Sequence, residues 1–165
     1  MHYYTINPPA SLADFVRFFW VLESDDPSYI HRSMAQVCSE MIFHYKGIFD
    51  EIGNDGKVEK SFTSGIQSQS DTIRRFSIHE KFGIFGVYLY PYTIPLITKT
   101  PATMLTNEMI DTATLFGKEG KQLEEKIMMA PDHHKRMAHV VEFLESRLSN
   151  FQLAKRCISH AVRFV

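Results

Sequence analysis

The stretch Phe82-Gly83-Ile84-Phe85-Gly86-Val87-Tyr88-Leu89-Tyr90-Pro91 decides the fold. It carries no charge and is closed by Pro91, so it predicts a strand over Phe82 to Tyr90. Alternation sends Ile84, Gly86, Tyr88 and Tyr90 to one face and Phe85, Val87 and Leu89 to the other. A strand apolar on both faces must be covered on both sides. The interior of a barrel covers one face and later helices cover the other. Gly83 and Gly86 predict a bulge or a close approach of another group to the backbone.

Upstream, the pattern is strand after strand. Phe18 to Glu23 is nearly all apolar and aromatic, and Asp25-Asp26-Pro27 is a turn. Tyr29 to Cys38 and Glu40 to Tyr45 follow as strands. Gly53-Asn54-Asp55-Gly56 between Ile52 and Val58 predicts a hairpin. Ser61 to Gln67 and Thr72 to His79 are further strands, separated by the polar loop Gln67 to Asp71. Ahead of them all, Asn7-Pro8-Pro9 leads into a short predicted helix, Ala10 to Val16.

Downstream, the period changes. Ile110 to Phe116 reads as a short helix, and Gln122 to Ala130 carries Leu123, Ile127 and Ala130 at helical spacing. Pro131 can open the next helix, where its missing N–H costs nothing. That helix shows Met137, Val141, Leu144 and Leu148 as one apolar stripe. Phe151 to Val165 repeats the pattern with Phe151, Ala154, Ile158, Ala161, Val162 and Val165. Strands first and helices last predict an α+β chain, an antiparallel β-barrel followed by a C-terminal helical segment. The expected division is one unit over 1–148, with its barrel at about 15–90 and helices at about 108–148. A connecting helix over 149–165 follows.

A chain of 165 residues suits one domain. Its net charge of −1 argues against a domain that binds DNA by itself, since phosphate neutralisation supplies most of that affinity. The segment from His133 onward is more basic, with Lys135, Arg136, Arg147, Lys155, Arg156 and Arg163 against Glu142 and Glu145. That is either a solvated helix face or an approach to DNA. Cys38 and Cys157 lack metal-type neighbours and are expected to be free thiols. No apolar run reaches the length of a membrane span, and Met1-His2-Tyr3-Tyr4-Thr5 does not open a signal peptide. The expectation is a soluble, cytoplasmic protein with no membrane partner.

Chemistry-bearing motifs are sparse. Metal-binding cupin barrels use an H-x-H pair, and the chain has none. His133 and His134 are adjacent, so their side chains leave a helix in different directions. Asp132 before them suits a helix N-terminus. His44 and His79 stand alone on predicted strands. Ser64-Gly65 is not a nucleophile elbow, nothing near Cys38 would lower its pKa, and Gly83 to Gly86 is too short for a phosphate or dinucleotide loop. The expectation is no catalytic residue, no metal ligand and no cofactor. Aromatics recur on the strands: Phe18, Phe19 and Trp20, then Phe43 and Tyr45, then Phe85, Tyr88 and Tyr90. They either fill the barrel or bound a small-molecule site. For such a site the candidates are Trp20, Phe43, Tyr88 and Tyr90.

The order of motifs resembles the N-terminal, non-DNA-binding domain of one branch of AraC/XylS-type transcription regulators. Pro8-Pro9, Leu12, Val16 and Phe19-Trp20 match the entry to that domain. Glu40-Met41-Ile42-Phe43 with Gly47 matches its central strand and turn. The glycine-containing strand ending in Tyr90-Pro91 comes next, then Thr100-Pro101 to Leu105, Asn107 to Asp111 and Leu115-Phe116-Gly117. Arg136, Phe143, Leu144, Arg147 and Leu148 fill the last pattern. Gly65-Ile66-Gln67 stands where that branch shows Gly-Gln, and Val37-Cys38-Ser39 replaces its Pro-Asp-Gly-like turn.

The resemblance implies that the barrel is cupin-like and that 1–148 is a regulatory domain, one that senses a small-molecule effector or assembles into a homodimer. DNA would be reached only through a C-terminal helix-turn-helix domain absent from this chain. The uncapped end at Ala161 to Val165 fits a chain cut inside or just after a connecting helix. Phe151, Ile158 and Val162 on that helix are the expected dimer contacts. The alternatives are a cupin-type oxygenase or isomerase, or a purely structural dimerisation module with a filled barrel.

Overall fold

The structure is a computed structural model that describes the backbone of residues 1–162 and the side chains of residues 1–151. Its strands are β1 (His2–Ile6), β2 (Val16–Ser24), β3 (Tyr29–Ser33), β4 (Ser39–Lys46), β5 (Asp50–Ile52), β6 (Val58–Lys60), β7 (Ser64–Gln67), β8 (Arg74–Ile78), β9 (Phe82–Leu89) and β10 (Met109–Asp111). Its helices are α1 (Thr93–Thr98), α2 (Thr112–Phe116), α3 (Lys118–Met129) and α4 (His133–Val162). A 3₁₀ turn spans Ala102–Met104.

Two antiparallel sheets face each other. The larger has the order β1-β2-β9-β4-β7-β10, the smaller β3-β8-β5-β6. From β2 to β9 the chain crosses repeatedly between the sheets, as in the double-sheet jelly rolls that include cupins. With α2, α3 and α4 gathered after the sheets, the chain is α+β, as its sequence predicts.

The two faces of the larger sheet divide by residue parity. Phe19 and Val21 on β2, Met41 and Phe43 on β4, Ile66 on β7, and Phe85, Val87 and Leu89 on β9 turn to one side. There they meet Ile94 and Ile97 of α1, Leu123 and Ile127 of α3, and Val140, Leu144 and Leu148 of α4 in one closed core. Trp20, Leu22, Ile42 and Ile84 turn to the other side, toward Phe49, Phe76 and Ile78 around the smaller sheet.

Several boundaries depart from the sequence reading. Residues 10–15 form successive turns rather than a helix, with Leu12 N–H donating to Pro9 O and Val16 N–H to Leu12 O. Six residues between a proline pair and a strand are too few to nucleate a stable helix. The strand region runs from 2 to 111, wider than 15–90, because β1 and β10 extend the large sheet at its two edges. Ile110 is a strand residue, paired with Ile66, and not the start of a helix. Asp111 ends that strand and caps α2, its Oδ1 accepting from Thr114 N at 2.8 Å. Gly117, at φ 59°, makes the turn from α2 to α3, a conformation that suits glycine.

α4 is one continuous helix through Val162, not two segments. Its buried residues are Arg136, Val140, Leu144 and Leu148, while Met137 and Val141 pack at the margin. Two arginines fasten it. The Arg147 guanidinium donates to Ile97 O of α1 at 3.0 Å, pairs with Glu119 of α3, and lies 4.5 Å above the Phe116 ring of α2. The Arg136 guanidinium sits 3.9 Å above the Tyr45 ring of β4. It also donates to His133 Nδ1 at 3.2 Å, which leaves the imidazole proton on Nε2, turned toward Glu23 at 3.5 Å.

Candidate ligand cavity between the sheets

Between the two sheets lies a cavity of about 470 Å³, within the range of small-molecule sites. Its floor is the face of the large sheet turned away from the helices, laid out in rows by the strand register. The first row runs Phe18, Tyr88, Glu40, Gln67, Met109 across β2, β9, β4, β7 and β10. The second runs Trp20, Gly86, Ile42, Gly65. The third runs Leu22, Ile84, His44. Tyr29, His31, Ser33 and Phe76 from the smaller sheet form the opposite wall, and the exposed Met1, Tyr3 and Met34 stand at its margin.

The glycines of the second row make room. A Cβ on Gly86 would meet Trp20 Cε2 at 2.0 Å, so the indole lies directly on the strand backbone. The close approach expected from the sequence is therefore the seat of Trp20. A Cβ on Gly83 would likewise meet the Tyr45 ring at 2.5 Å, on the opposite face of the sheet.

The cavity's polar groups are few and mostly ordered. Tyr88 Oη donates to Gln36 Oε1, which leaves the Gln36 amide N–H groups for the Glu40 carboxylate. Gln67 Nε2 donates to Ser33 Oγ at 2.5 Å, tying the sheets together across the cavity. His44 Nδ1 lies 3.0 Å from Phe62 O; a carbonyl only accepts, so the proton is on Nδ1 and Nε2 carries a lone pair. Trp20 Nε1–H is buried without a hydrogen-bond partner, an uncommon state for a buried donor.

Burial sets the electrostatics. It pushes the Glu40 carboxyl up to about 7, against a smaller opposing pull from the Gln36 hydrogen bond. It lowers the pKa of both His31 and His44, so these imidazoles favour the neutral form. Burial, with the nearby Glu40, pushes the Tyr88 phenol up to about 12. No ion pair among the described residues includes Glu40. Among the described residues no group of three or more His, Cys, Asp or Glu side chains gathers as a metal site. Cys38 is a buried free thiol.

Of the four sequence candidates, the structure brings Trp20 and Tyr88 into the cavity wall. Phe43 lies outside it, fully buried on the helix-covered face, because it is one residue out of step with Ile42 and His44. Tyr90 lies beyond the end of β9 and stacks on Tyr92, their ring centroids 5.8 Å apart. Glu40, His44, His31 and Gln36 were not singled out as ligand residues. The legible signal was Glu40-x-Ile42-x-His44, polar groups alternating in phase with an inward apolar residue. Of the proposed dimer contacts, Phe151 is exposed, and the side chains of Ile158 and Val162 lie outside the described residues.

Residues 4–111 match the model of a family described as a domain of unknown function, DUF6597. The chain belongs to that family. The DUF6597 match runs from within β1 to Asp111, the last residue of β10, and so takes in β2 to β10 and α1. No curated protein matches the chain.

Among solved structures, the chain is similar to a Cupin_2 domain of an XRE family transcriptional regulator from Enterobacter cloacae. The identity is 12% and the TM-score 0.39, over 55% of this chain and 96% of that one. It is similar to an RmlC-like cupin protein from Desulfovibrio desulfuricans at 8% identity and TM-score 0.36, over 53% and 80%. A third likeness is to cobalt(II) HppE in complex with Tris buffer, at 11% identity and TM-score 0.32, over 53% and 52%. No helix among the described residues is long and apolar enough to cross a membrane.

Proposed function

We propose that this chain is the ligand-sensing part of a transcription regulator of AraC type, with a small molecule held between the sheets as its effector. The observation that carries the reading is the cavity itself. One face of the large sheet is packed solid against helices, while the same strands leave the other face hollow, with a few convergent polar groups and an unpartnered indole N–H. The order of motifs from Pro8 to Leu148 supports the AraC-type assignment.

The route from cavity to output runs through the strands. β4 and β9 carry cavity residues on one face and core residues on the other, and Arg136 of α4 rests on Tyr45 of β4. A ligand that shifts β4 acts on the helix that leads away from the domain. In this reading the chain performs no chemistry of its own. It works in the cytoplasm as a homodimer through the distal part of α4, including Phe151, Ile158 and Val162, and reaches DNA through a separate domain.

The test is a thermal-shift screen of the chain against a collection of small metabolites, repeated with Ile42→Phe, which fills the cavity from its floor. The reading expects hits that lose their shift in the variant and that alter amide hydrogen exchange along α4. Hits indifferent to Ile42→Phe would contradict it. Sedimentation of the chain with Ile158→Glu and Val162→Glu tests assembly: the expected change is from dimer to monomer, and an unchanged mass contradicts the proposed contact.

A further inference from the structure

Resting on that reading of the cavity as a ligand site, we infer that its ligand is an organic cation, an amine on a small apolar or aromatic body, with its ammonium set against Glu40 and the rings of Tyr3, Trp20 and Tyr88.

Glu40 is the one acidic group lining the cavity, and no ion pair within the described residues neutralises it. The cationic side chain on the lining is Arg32, which is exposed. His31 and His44 are held toward the neutral form by burial. An anionic ligand would meet a carboxylate and no buried counter-charge. A neutral ligand would leave Glu40 with only its Gln36 hydrogen bond, so that burial keeps it partly protonated. A cation supplies the counter-charge that the ionised form lacks.

Geometry points the same way. Tyr88 stands directly across from Glu40 in the β4–β9 register. Burial, and with it the nearby Glu40 charge, raises the Tyr3 phenol, and its ring centroid is 6.4 Å from that of Trp20. Aromatic faces attract cations, the indole most strongly, and a carboxylate beside such rings supplies a charge-assisted hydrogen bond. Leu22, Ile42, Ile84 and Phe76 supply an apolar stretch of the wall, which suits a hydrocarbon or aryl body. The volume of about 470 Å³ limits that body to a small molecule.

The groups that face Glu40 fix the pH behaviour. Tyr3 and Tyr88 have raised pKa values and stay protonated. Arg32 on the lining, Arg17 beside Tyr88 and the Met1 α-amino group at the margin are the basic groups around it. Glu40 is therefore the acid that gains its proton between pH 7 and pH 5.5, whereas any charging of His31 or His44 falls at the acid end.

Trp20 is the chain's only tryptophan, so its emission reports the cavity directly. The experiment titrates the full chain with 2-phenylethylamine, its neutral analogue 2-phenylethanol, and phenylacetate. The expected result is saturable binding of the amine at least about tenfold tighter than either analogue, with that advantage lost in Glu40→Gln. In the wild type the amine should bind more than about tenfold more weakly at pH 5.5 than at pH 7, by linkage to Glu40 protonation. That arm stands even if the variant does not fold. Equal binding of the alcohol or of phenylacetate overturns the cation and leaves the cavity a ligand site. So does amine binding that ignores both Glu40→Gln and pH. No saturable response to any of the three overturns the inference, and the metabolite screen then decides the ligand-site reading separately.

Discussion

One sheet of this protein serves two unlike purposes on its two faces. Phe43 and Phe85 turn to the helices and are fully buried in a closed core. Ile42 and Ile84, their immediate neighbours, turn to a cavity shared with a carboxyl, two imidazoles and an indole. The same backbone hydrogen bonds hold both. The difference shows that stability and site are separated here by residue parity, not by region of the chain. Substitutions one position apart should therefore fall into different classes of effect.

The largest contrast tests that separation. Phe43→Ala should cost about 3–5 kcal/mol in urea unfolding, the range for emptying a packed aromatic site. Tyr88→Phe, which removes only the hydroxyl bonded to Gln36, should cost about 0.5–1.5 kcal/mol. Similar losses for the two would erase the distinction between the faces.

A second contrast has the opposite sign. The folded protein holds the Glu40 proton up to about pH 7, whereas the unfolded chain releases it near 4.5. Stability should therefore fall as pH rises from 4.5 to 7 and then level off. Glu40→Gln removes that liability and should stabilise the chain at pH 8 by on the order of 2–3 kcal/mol, with the gain vanishing by pH 4.5. Urea unfolding of both proteins at the two pH values checks this. A variant less stable than the wild type at pH 8 would mean that Glu40 is a structural residue.

A smaller effect is expected at the seat of the indole. The Cβ added by Gly86→Ala collides with the Trp20 ring, not with backbone, and the ring has the cavity beside it to move into. The cost should be near the low end for overpacking, about 1 kcal/mol, together with a shift in Trp20 emission. An unchanged emission spectrum would mean that the indole does not rest on Gly86.

Much of this division could be read from the sequence, and the failures are instructive. The alternation in Phe82 to Leu89 gave both faces of β9, and with them the need for helices on one side and a barrel interior on the other. The same rule applied to Glu40 to Tyr45 would have placed Phe43 with Met41 against the helices. The aromatic side chain of Phe43 suggests a ligand contact that its phase denies. Neither Glu40 nor His44 belongs to a known motif. Their signal is positional, a charge and an imidazole in step with Ile42 on a strand otherwise buried.

β1 and β10 left little trace. His2 to Thr5 is an exposed edge strand without apolar alternation, and Met109 to Asp111 is only three residues long. In α4 the i+4 series Arg136, Val140, Leu144, Leu148 is the buried line. An arginine opens it, so the sequence stripe was drawn through Met137 and Val141 one step away. Arg136 is buried because the Tyr45 ring beneath it takes the place of solvent.

The methionines offer the most direct test of the two-faced sheet. Met41 lies in the helix-side core, whereas Met34 and Met109 line the cavity. With the methionine methyl groups ¹³C-labelled, NMR titration with 2-phenylethylamine should move the Met34 and Met109 signals and leave Met41 in place. Shifts confined to Met41, or to Met129 on the exposed surface of α3, with Met34 and Met109 silent, would contradict the account.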